Sequence, residues 1–149
     1  MLTLPAAAPS QRGPPKREAV ATTLKLLAVD DDAPSAELIV RVAERCGHEA
    51  FATSDPRGVI NLVNALRPDV IAMDLSMPHI DAIELFTLLA AHKYAGQLII
   101  VSGQDESSLR TAQRAAQTMG PNKPHVHQKP LNFQAMRQTL NIELAIKGR

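Results

Sequence analysis

Five short apolar runs alternate with stretches of helical periodicity, and this alternation constrains the fold more than any other feature of the chain. The runs are about five residues long, while the stretches between them repeat an apolar residue every third or fourth position. We predict strands at Leu24–Val29, Glu49–Thr53, Asp69–Met73, Gln97–Val101 and His125–Gln128. Because a helix follows each strand, the strands are expected to run parallel in one sheet with helices on both faces.

The helices carry their own start and stop signals. Pro34 suits the first turn of a helix that Gly47 ends, and Pro68 ends the second helix. A fourth helix is predicted over Glu106–Met119. The last helix places one apolar stripe on its inner face, consisting of Phe133, Met136, Leu140 and Leu144. The fold class that follows is α/β, a doubly wound (βα)5 sandwich of three layers.

Length and composition fit one domain with a tail. The chain has 149 residues, 45% of them hydrophobic, which is enough for a normal core. We expect the Pro-rich residues 1–22 to be disordered and residues 23–149 to form the domain. With a single cysteine, Cys46, no secretory signal and no apolar run of membrane-spanning length, a cytoplasmic protein without membrane contact is expected.

The charge balance argues against a nucleic-acid partner. The 16 basic and 15 acidic side chains give a formal net charge of only +1. Aromatic residues make up 3% of the chain, which disfavours a surface that stacks on bases. Direct binding to nucleic acid is therefore not expected.

Polar residues stand where four of the predicted strands end. Asp30 and Asp31 follow the first strand, Asp74 the third, Ser102 the fourth and Lys129 the fifth. In open α/β sheets ligands bind outside the carboxyl ends of the strands. In the common strand order 2-1-3-4-5 the first and third strands are neighbours, so the three aspartates are expected to crowd together.

Three adjacent carboxylates need a counter-charge. Two unit charges about 4 Å apart repel by roughly 4 kcal/mol at an effective dielectric constant near 20. An all-oxygen shell favours a hard dication, and Mg²⁺, or Mn²⁺ in its place, is predicted. With Lys129 as a second positive charge, such a site suits phosphoryl transfer to a carboxylate. Asp74 is the best candidate nucleophile because it ends the central strand.

Taken together, four short motifs at these strand ends resemble a response-regulator receiver domain of two-component signalling. They are Val29-Asp30-Asp31, Asp74 with Met77-Pro78 after it, Ser102-Gly103 and Lys129-Pro130. The resemblance covers about Leu24 to Ile146 and implies a flavodoxin-like fold.

The resemblance implies roles for the acidic residues. Asp74 is the expected phosphoacceptor, which takes a phosphoryl group from a sensor histidine kinase or a histidine phosphotransfer protein. Asp31, Asp74 and the backbone carbonyl of Ser76 are the expected direct Mg²⁺ ligands, while Asp30 is expected to act through metal-bound water.

The resemblance also implies which residues respond to the phosphoryl group. Lys129 is expected to pair with it, aimed by a cis bond to Pro130, and the Ser102 hydroxyl is expected to move to one of its oxygens. Relatives often carry an aromatic residue where Val126 stands, so the usual aromatic switch is not expected here.

The implied function is a signalling module and not an enzyme, although it assists its own phosphotransfer and dephosphorylation. Its output is expected to be a contact with an unidentified downstream protein. A homodimer through the fourth helix, the fifth strand and the last helix is the other expected output. Either needs only a few kcal/mol between two existing conformations.

Two alternatives stay open at this point. Asp30 and Asp32 could mimic the nucleophile and the acid of a haloacid-dehalogenase-like phosphatase, although the chain is short and has no obvious cap insertion. The other alternative is a receiver-like scaffold that is never phosphorylated, against which the intact acid set argues.

The fifth strand is polar for a buried strand, which predicts a position at the sheet edge. His125 and His127 lie two positions apart there, as metal ligands can. With no acid or cysteine at ligand spacing, we interpret both as half-exposed edge residues.

Overall fold

A five-stranded parallel sheet in the order β2-β1-β3-β4-β5 forms the centre of the molecule. The computed structural model describes residues 23–74, 82–103, 106–107, 110, 113–114 and 124–148. The strands are β1 Lys25–Val29, β2 Glu49–Thr53, β3 Val70–Asp74, β4 Gln97–Ser102 and β5 His125–Gln128. The predicted strands, their order and the edge position of β5 are confirmed, and each strand end lies within one residue of its expected place.

Helices connect the strands, and four are complete enough in the described ranges to be given bounds. They are α1 Ala33–Arg45, α2 Val59–Leu66, α3 Ala82–Ala91 and α4 Phe133–Lys147, with a 3₁₀ turn at Pro56–Gly58. Most of the predicted helix at 106–119 lies outside the described residues, and so does the whole tail 1–22. Nowhere in the part of the chain that is described does a helix combine the length and the apolar character needed to span a membrane.

Two apolar clusters, one on each face of the sheet, confirm the three-layer arrangement. Side chains alternate between the faces along each strand, so Leu26 and Leu27 of β1 belong to different clusters. One cluster joins the sheet to α2 and α3, the other to α1 and α4. β1 and β3 are covered on both faces, which explains why their sequences are continuous apolar runs.

The first residue of α4 departs from the predicted inner stripe. Met136 and Leu140 are fully buried against the sheet, but Phe133 is 50% exposed. Phe133 lines a surface groove together with Leu38 and Val42 of α1 and does not belong to either core cluster. The predicted stripe is confirmed for Met136, Leu140 and Leu144, which pack in the core cluster, and is wrong for Phe133 in the first turn of the helix.

Candidate functional site

The carboxyl edge of the sheet brings three carboxylates together. Asp30 directly follows β1, and Asp74 is the last residue of the neighbouring strand β3. One carboxylate oxygen from each of Asp30, Asp31 and Asp74 lies within 4.8 Å of the others. The convergence arises because Val29 and Met73 are paired across β1 and β3, so both chains leave the sheet at the same level.

Lys129 supplies the positive charge of this acid pocket. Its ammonium donates a hydrogen bond to Asp30 Oδ2 at 3.2 Å and lies 3.9 Å from Asp74 Oδ2. Asp30 and Asp74 are 1% and 4% exposed, whereas Asp31 is open to solvent. Buried carboxylates are costly unless paired, and here one ammonium serves two of them.

The charges of the pocket side chains indicate which ligands the pocket can bind. Among the described residues, the carboxylates of Asp30, Asp31 and Asp74 converge near the single ammonium of Lys129, so the acidic groups there outnumber the basic one. The metal-ligating side-chain atoms of this cluster, as far as the described residues go, are carboxylate oxygens, which hard dications prefer. Because Asp31 is exposed, a cation could reach the pocket from solvent.

Of three further predicted site features, the structure describes one fully, one in part and one not at all. The Lys129–Pro130 peptide bond is cis, as expected. Ser102 ends β4 and its backbone pairs with Gln128, but its side chain is not described. Ser76 lies outside the described residues.

Asp32 contributes to the pocket in a way that the sequence interpretation missed. Its backbone N–H donates to Asp30 Oδ1 at 2.9 Å, which fixes the orientation of that carboxylate. Its own side chain caps α1 by accepting from the Ser35 backbone N–H at 3.2 Å and from the Ser35 hydroxyl. An aspartate directly before a helical pattern is a known N-cap signal and could have revealed this role.

The two histidines of β5 bind the last helix. His125 Nε2 lies 2.8 Å from Glu143 Oε2, and His127 Nε2 lies 2.9 Å from Thr139 Oγ1. Glu143 also accepts from Gln97 Nε2 at 3.2 Å. Burial, and then the neighbouring His125, lowers the pKa of His127. Both rings are partly buried at the edge, and the metal-type cluster found among the described residues includes neither.

Comparison with known proteins gives consistent matches. The profile of the response regulator receiver domain matches residues 26–141. An uncharacterized response regulatory protein of Yersinia pestis is 30% identical over 119 residues, which is 78% of this chain and 47% of the relative. The alkaline phosphatase synthesis transcriptional regulatory protein PhoP of Bacillus subtilis is 28% identical over 82 residues, 55% of this chain and 34% of the relative. The chain thus matches less than half the length of these curated relatives.

Solved structures of similar shape include isolated domains. The receiver domain of the Francisella response regulator 1452 has a TM-score of 0.68 at 25% identity and covers 83% of this chain and 98% of its own. The signal receiver domain from Bermanella marisrubri has the same score and identity, with 80% and 97% covered. A CheY-like receiver domain protein from Methanospirillum hungatei, at 16% identity, has a TM-score of 0.71, covers 84% and 96%, and supports the fold alone.

Proposed function

The chain belongs to the response regulator receiver domain family, and from that premise we propose that Asp74 is its phosphoacceptor in a Mg²⁺-dependent reaction. A module of phospho-aspartate signalling, and not a classical enzyme, is what this family membership and the acid pocket support. The single observation that carries the choice of Asp74 is its position. It ends a central strand, is 4% exposed, and lies beside both a carboxylate cluster and an ammonium.

The acid pocket suits the metal that such domains use. An aspartate cluster of this kind is typical of the Mg²⁺ site of receiver domains. We assign Asp30, Asp31 and Asp74, with the backbone carbonyl of Ser76, to holding Mg²⁺ or Mn²⁺. When bound, the ion would neutralise charge on the phosphoryl oxygens. Its positive charge would offset the excess of carboxylates over ammonium among the described pocket residues.

The reaction transfers one phosphoryl group between side chains. A carboxylate oxygen of Asp74 attacks phosphorus in line, the P–N bond of the donor phosphohistidine breaks, and the electron pair leaves with the imidazole nitrogen. Lys129 already lies 3.9 Å from Asp74 Oδ2, so its ammonium can pair with the incoming phosphoryl oxygens. In the proposed product the Ser102 hydroxyl donates to another of these oxygens.

Family membership implies a histidine kinase as partner, directly or through a phosphotransfer protein. The downstream partner and the homodimer through β5 and its neighbouring helices remain proposals about output. A cytoplasmic location is part of the same proposal, because histidine kinases phosphorylate their receivers there.

The phosphatase alternative is disfavoured by the contacts of Asp30. Its Oδ1 accepts from the Asp32 backbone and its Oδ2 accepts from Lys129. Both oxygens are therefore occupied by donors, and the side chain is 1% exposed. Such a carboxylate is better placed to orient other groups than to attack a substrate from solvent.

The test is labelling of the full chain with a small acyl phosphate in the presence of Mg²⁺. We expect one hydroxylamine-sensitive phosphoryl group that maps to Asp74 by mass spectrometry and is lost in Asp74→Asn and after chelation of the metal. Asp55→Asn is the matched control, because Asp55 is exposed and pairs with Arg57 outside the pocket.

Each contrary result identifies a different alternative. Equal labelling of the parent and Asp74→Asn excludes Asp74 as acceptor. A label that maps to Asp30 supports the phosphatase, and a folded parent that takes no label supports the unphosphorylated scaffold.

A further inference from the structure

A cavity of about 830 Å³ lies at the amino edge of the sheet, opposite the edge that holds the acid pocket. Its walls are formed by residues that directly precede β1, β3 and β4, by the ends of α2 and α3, and by the last turns of α4. Val63, Tyr94 and Ile146 contribute an apolar floor, and Ile146 is still 38% exposed there. The cavity is large enough to take side chains from another segment.

Close contacts hold the floor of this cavity in place. The Tyr94 hydroxyl donates to the Gln97 carbonyl at 3.1 Å and lies over Gly96. A Cβ at Gly96 would meet that hydroxyl and, at 2.6 Å, the carbonyl of Asp69. The Gln97 side chain in turn donates to Glu143 of α4 at 3.2 Å. Because these contacts join the sheet to α4, the cavity is formed without an occupant.

Two cations at the cavity rim hold an uncommon backbone conformation. Arg67 and Lys93 follow α2 and α3, with φ angles of 51° and 58°. At the end of a helix this left-handed conformation usually belongs to glycine or asparagine. Neither side chain forms an ion pair with another residue in the part of the chain that the structure describes. The dipoles of the two helices favour positive charge at these positions, and both charges remain available to an anionic group over the cavity.

The chain enters the domain beside this cavity. Lys147, one of the lining residues, donates to the Thr23 carbonyl at 3.1 Å, and the adjacent Leu24 also lines the cavity. Residues 16–22 therefore lead directly to its rim. The four prolines and the one glycine of the tail all lie at positions 5–15, so residues 16–22 differ in composition from the rest of the tail.

We propose that residues 16–22 lie across this cavity as a strap. The Val20 side chain covers the apolar floor and removes it from water. The Glu18 carboxylate binds the charged groups of Arg67 and Lys93 through charge-assisted hydrogen bonds. Glu18 is the only acidic residue of the tail, so the match in charge selects one position of the strap.

The length of the strap is sufficient for these contacts. Glu18 lies five positions before Thr23, and an extended chain of five residues spans at most about 17 Å. The cavity extends along the ends of the adjacent strands β1, β3 and β4, and two strand spacings amount to only about 10 Å. The Glu18 carboxylate can therefore reach the far rim without any movement of the domain.

The tether favours this segment over any separate occupant. Residues attached next to the cavity have an effective concentration on the order of millimolar, which a free anion or a second copy of the chain would have to exceed. With the strap in place, the disorder expected of the tail is confined to residues 1–15. The inference uses no property of the phosphorylated state and is measured on the unmodified protein.

The experiment is NMR spectroscopy of the full chain. The Val20 methyl groups should show nuclear Overhauser contacts to those of Ile146. The backbone amides of residues 19–22 should exchange their hydrogens at least tenfold more slowly than in a free peptide of residues 16–22. Glu18→Lys should remove this protection, and Val20→Ser should reduce it without a change in charge.

An exchange of charges assigns the effect to the cavity. Glu18→Lys combined with Arg67→Glu and Lys93→Glu should restore the protection, because the attraction is re-established with opposite signs. The matched control combines Glu18→Lys with Arg41→Glu and Arg137→Glu, two exposed arginines outside the cavity. Its net charge is the same, and it should stay unprotected.

The inference is overturned if Val20 shows no contact with the floor and residues 19–22 exchange like the free peptide. Protection that survives Glu18→Lys, or that the exchange and its control restore equally, overturns it as well. In a mixture of labelled and unlabelled chains, contacts seen only between different chains would assign the cavity to a second copy. Unprotected residues 19–22 together with shifts of the Arg67 and Lys93 amides on titration with inorganic phosphate would assign it to a small anion, and both outcomes exclude the strap.

Discussion

Among single residues, Lys129 is the side chain on which the electrostatics of the site depend. Its ammonium lies 3.2 Å from Asp30 Oδ2 and 3.9 Å from Asp74 Oδ2. It therefore neutralises part of the same charge that a bound cation would neutralise. Lys129 and the proposed Mg²⁺ would compete for these carboxylates, yet both are expected to attract phosphoryl oxygens.

Because of this competition, Lys129→Met should raise the affinity for Mg²⁺ but lower the rate of phosphorylation. The substitution keeps the length of the side chain and removes its charge. Mg²⁺ should bind more tightly, by on the order of 1 kcal/mol or severalfold in affinity, because a repelling cation has gone. Phosphorylation by the small donor should slow at least tenfold, because the phosphoryl oxygens lose a charged partner. Calorimetric titration of Mg²⁺ and the labelling rate measure the two effects.

The matched control is Lys147→Met, which removes an ammonium that lies 2.9 Å from Asp69 Oδ2 at the other end of the sheet. It should leave Mg²⁺ affinity unchanged. Weaker Mg²⁺ binding in Lys129→Met would contradict the competition.

At the scale of elements, the start of α1 and the acid pocket are built by one turn of the chain. The Asp32 N–H orients Asp30, and the Asp32 carboxylate accepts the Ser35 N–H at the first turn of the helix. The helix therefore begins at a fixed distance from the pocket.

Removal of the cap should destabilise the domain without removing a pocket carboxylate. Asp32→Ala is expected to lower the free energy of unfolding by about 1 kcal/mol, the usual value of an N-cap. Asp32→Asn retains an oxygen that can accept from Ser35 and should lose only a few tenths of that. Urea denaturation measures both variants, and equal losses in the two would show that capping is not the cause.

The elements could be predicted closely because their signals are local. Apolar runs gave the strands to within one residue, and β2 and β5 were placed without error. The partners of His125 and His127 could not be predicted, since Glu143 and Thr139 are polar residues on the buried side of α4. The helical period marks a face but not which strand residue meets it, and it does not show that Phe133 is half exposed.

For the site, strand ends were enough to identify Asp30, Asp74 and Lys129 as neighbours. The parallel direction of the sheet makes every strand end at the same edge, so residues far apart in sequence converge by topology alone. The role of Asp32 needed the actual turn geometry, because its backbone N–H and not its side chain contacts the pocket.

In the whole molecule, the two ends of the sheet differ in the polar contacts that they carry. The carboxyl edge holds the acid pocket, while the amino edge is tied by hydrogen bonds between elements. Asp69 Oδ2 accepts from the Lys25 N–H at 2.8 Å and from Lys147 Nζ at 2.9 Å. The Leu24 N–H donates to His48 Nδ1 at 3.0 Å, with His48 buried at 6% exposure.

Two histidines, the buried His48 and the partly buried His127, make the stability of the domain sensitive to acid. Burial first, and then the charge of Lys147, lowers the pKa of His48 below its usual 6.5. Burial lowers the pKa of His127 as well. Both residues bind protons more readily when the chain is unfolded. Their contribution to the free energy of unfolding is therefore complete above pH 6.5 and is lost as the pH falls below it.

We therefore expect the urea concentration at the unfolding midpoint to decrease as the pH is lowered from about 7.5 to about 5.5. His48→Gln should be less stable at the higher pH but should show a shallower dependence, because one of the two groups is gone. Chemical denaturation at a series of pH values checks both points. A midpoint that rises on acidification, or an equal slope in the variant, would contradict this assignment.

The contact between Lys129 and Asp30 spans 99 positions of the sequence. A fragment that ends before β5 lacks the lysine, and one that begins at α1 lacks the aspartate. Partly synthesised or proteolysed chains therefore cannot assemble the pocket, whatever local structure they form. The pocket therefore forms only once both ends of the domain have been made and have folded onto the same sheet.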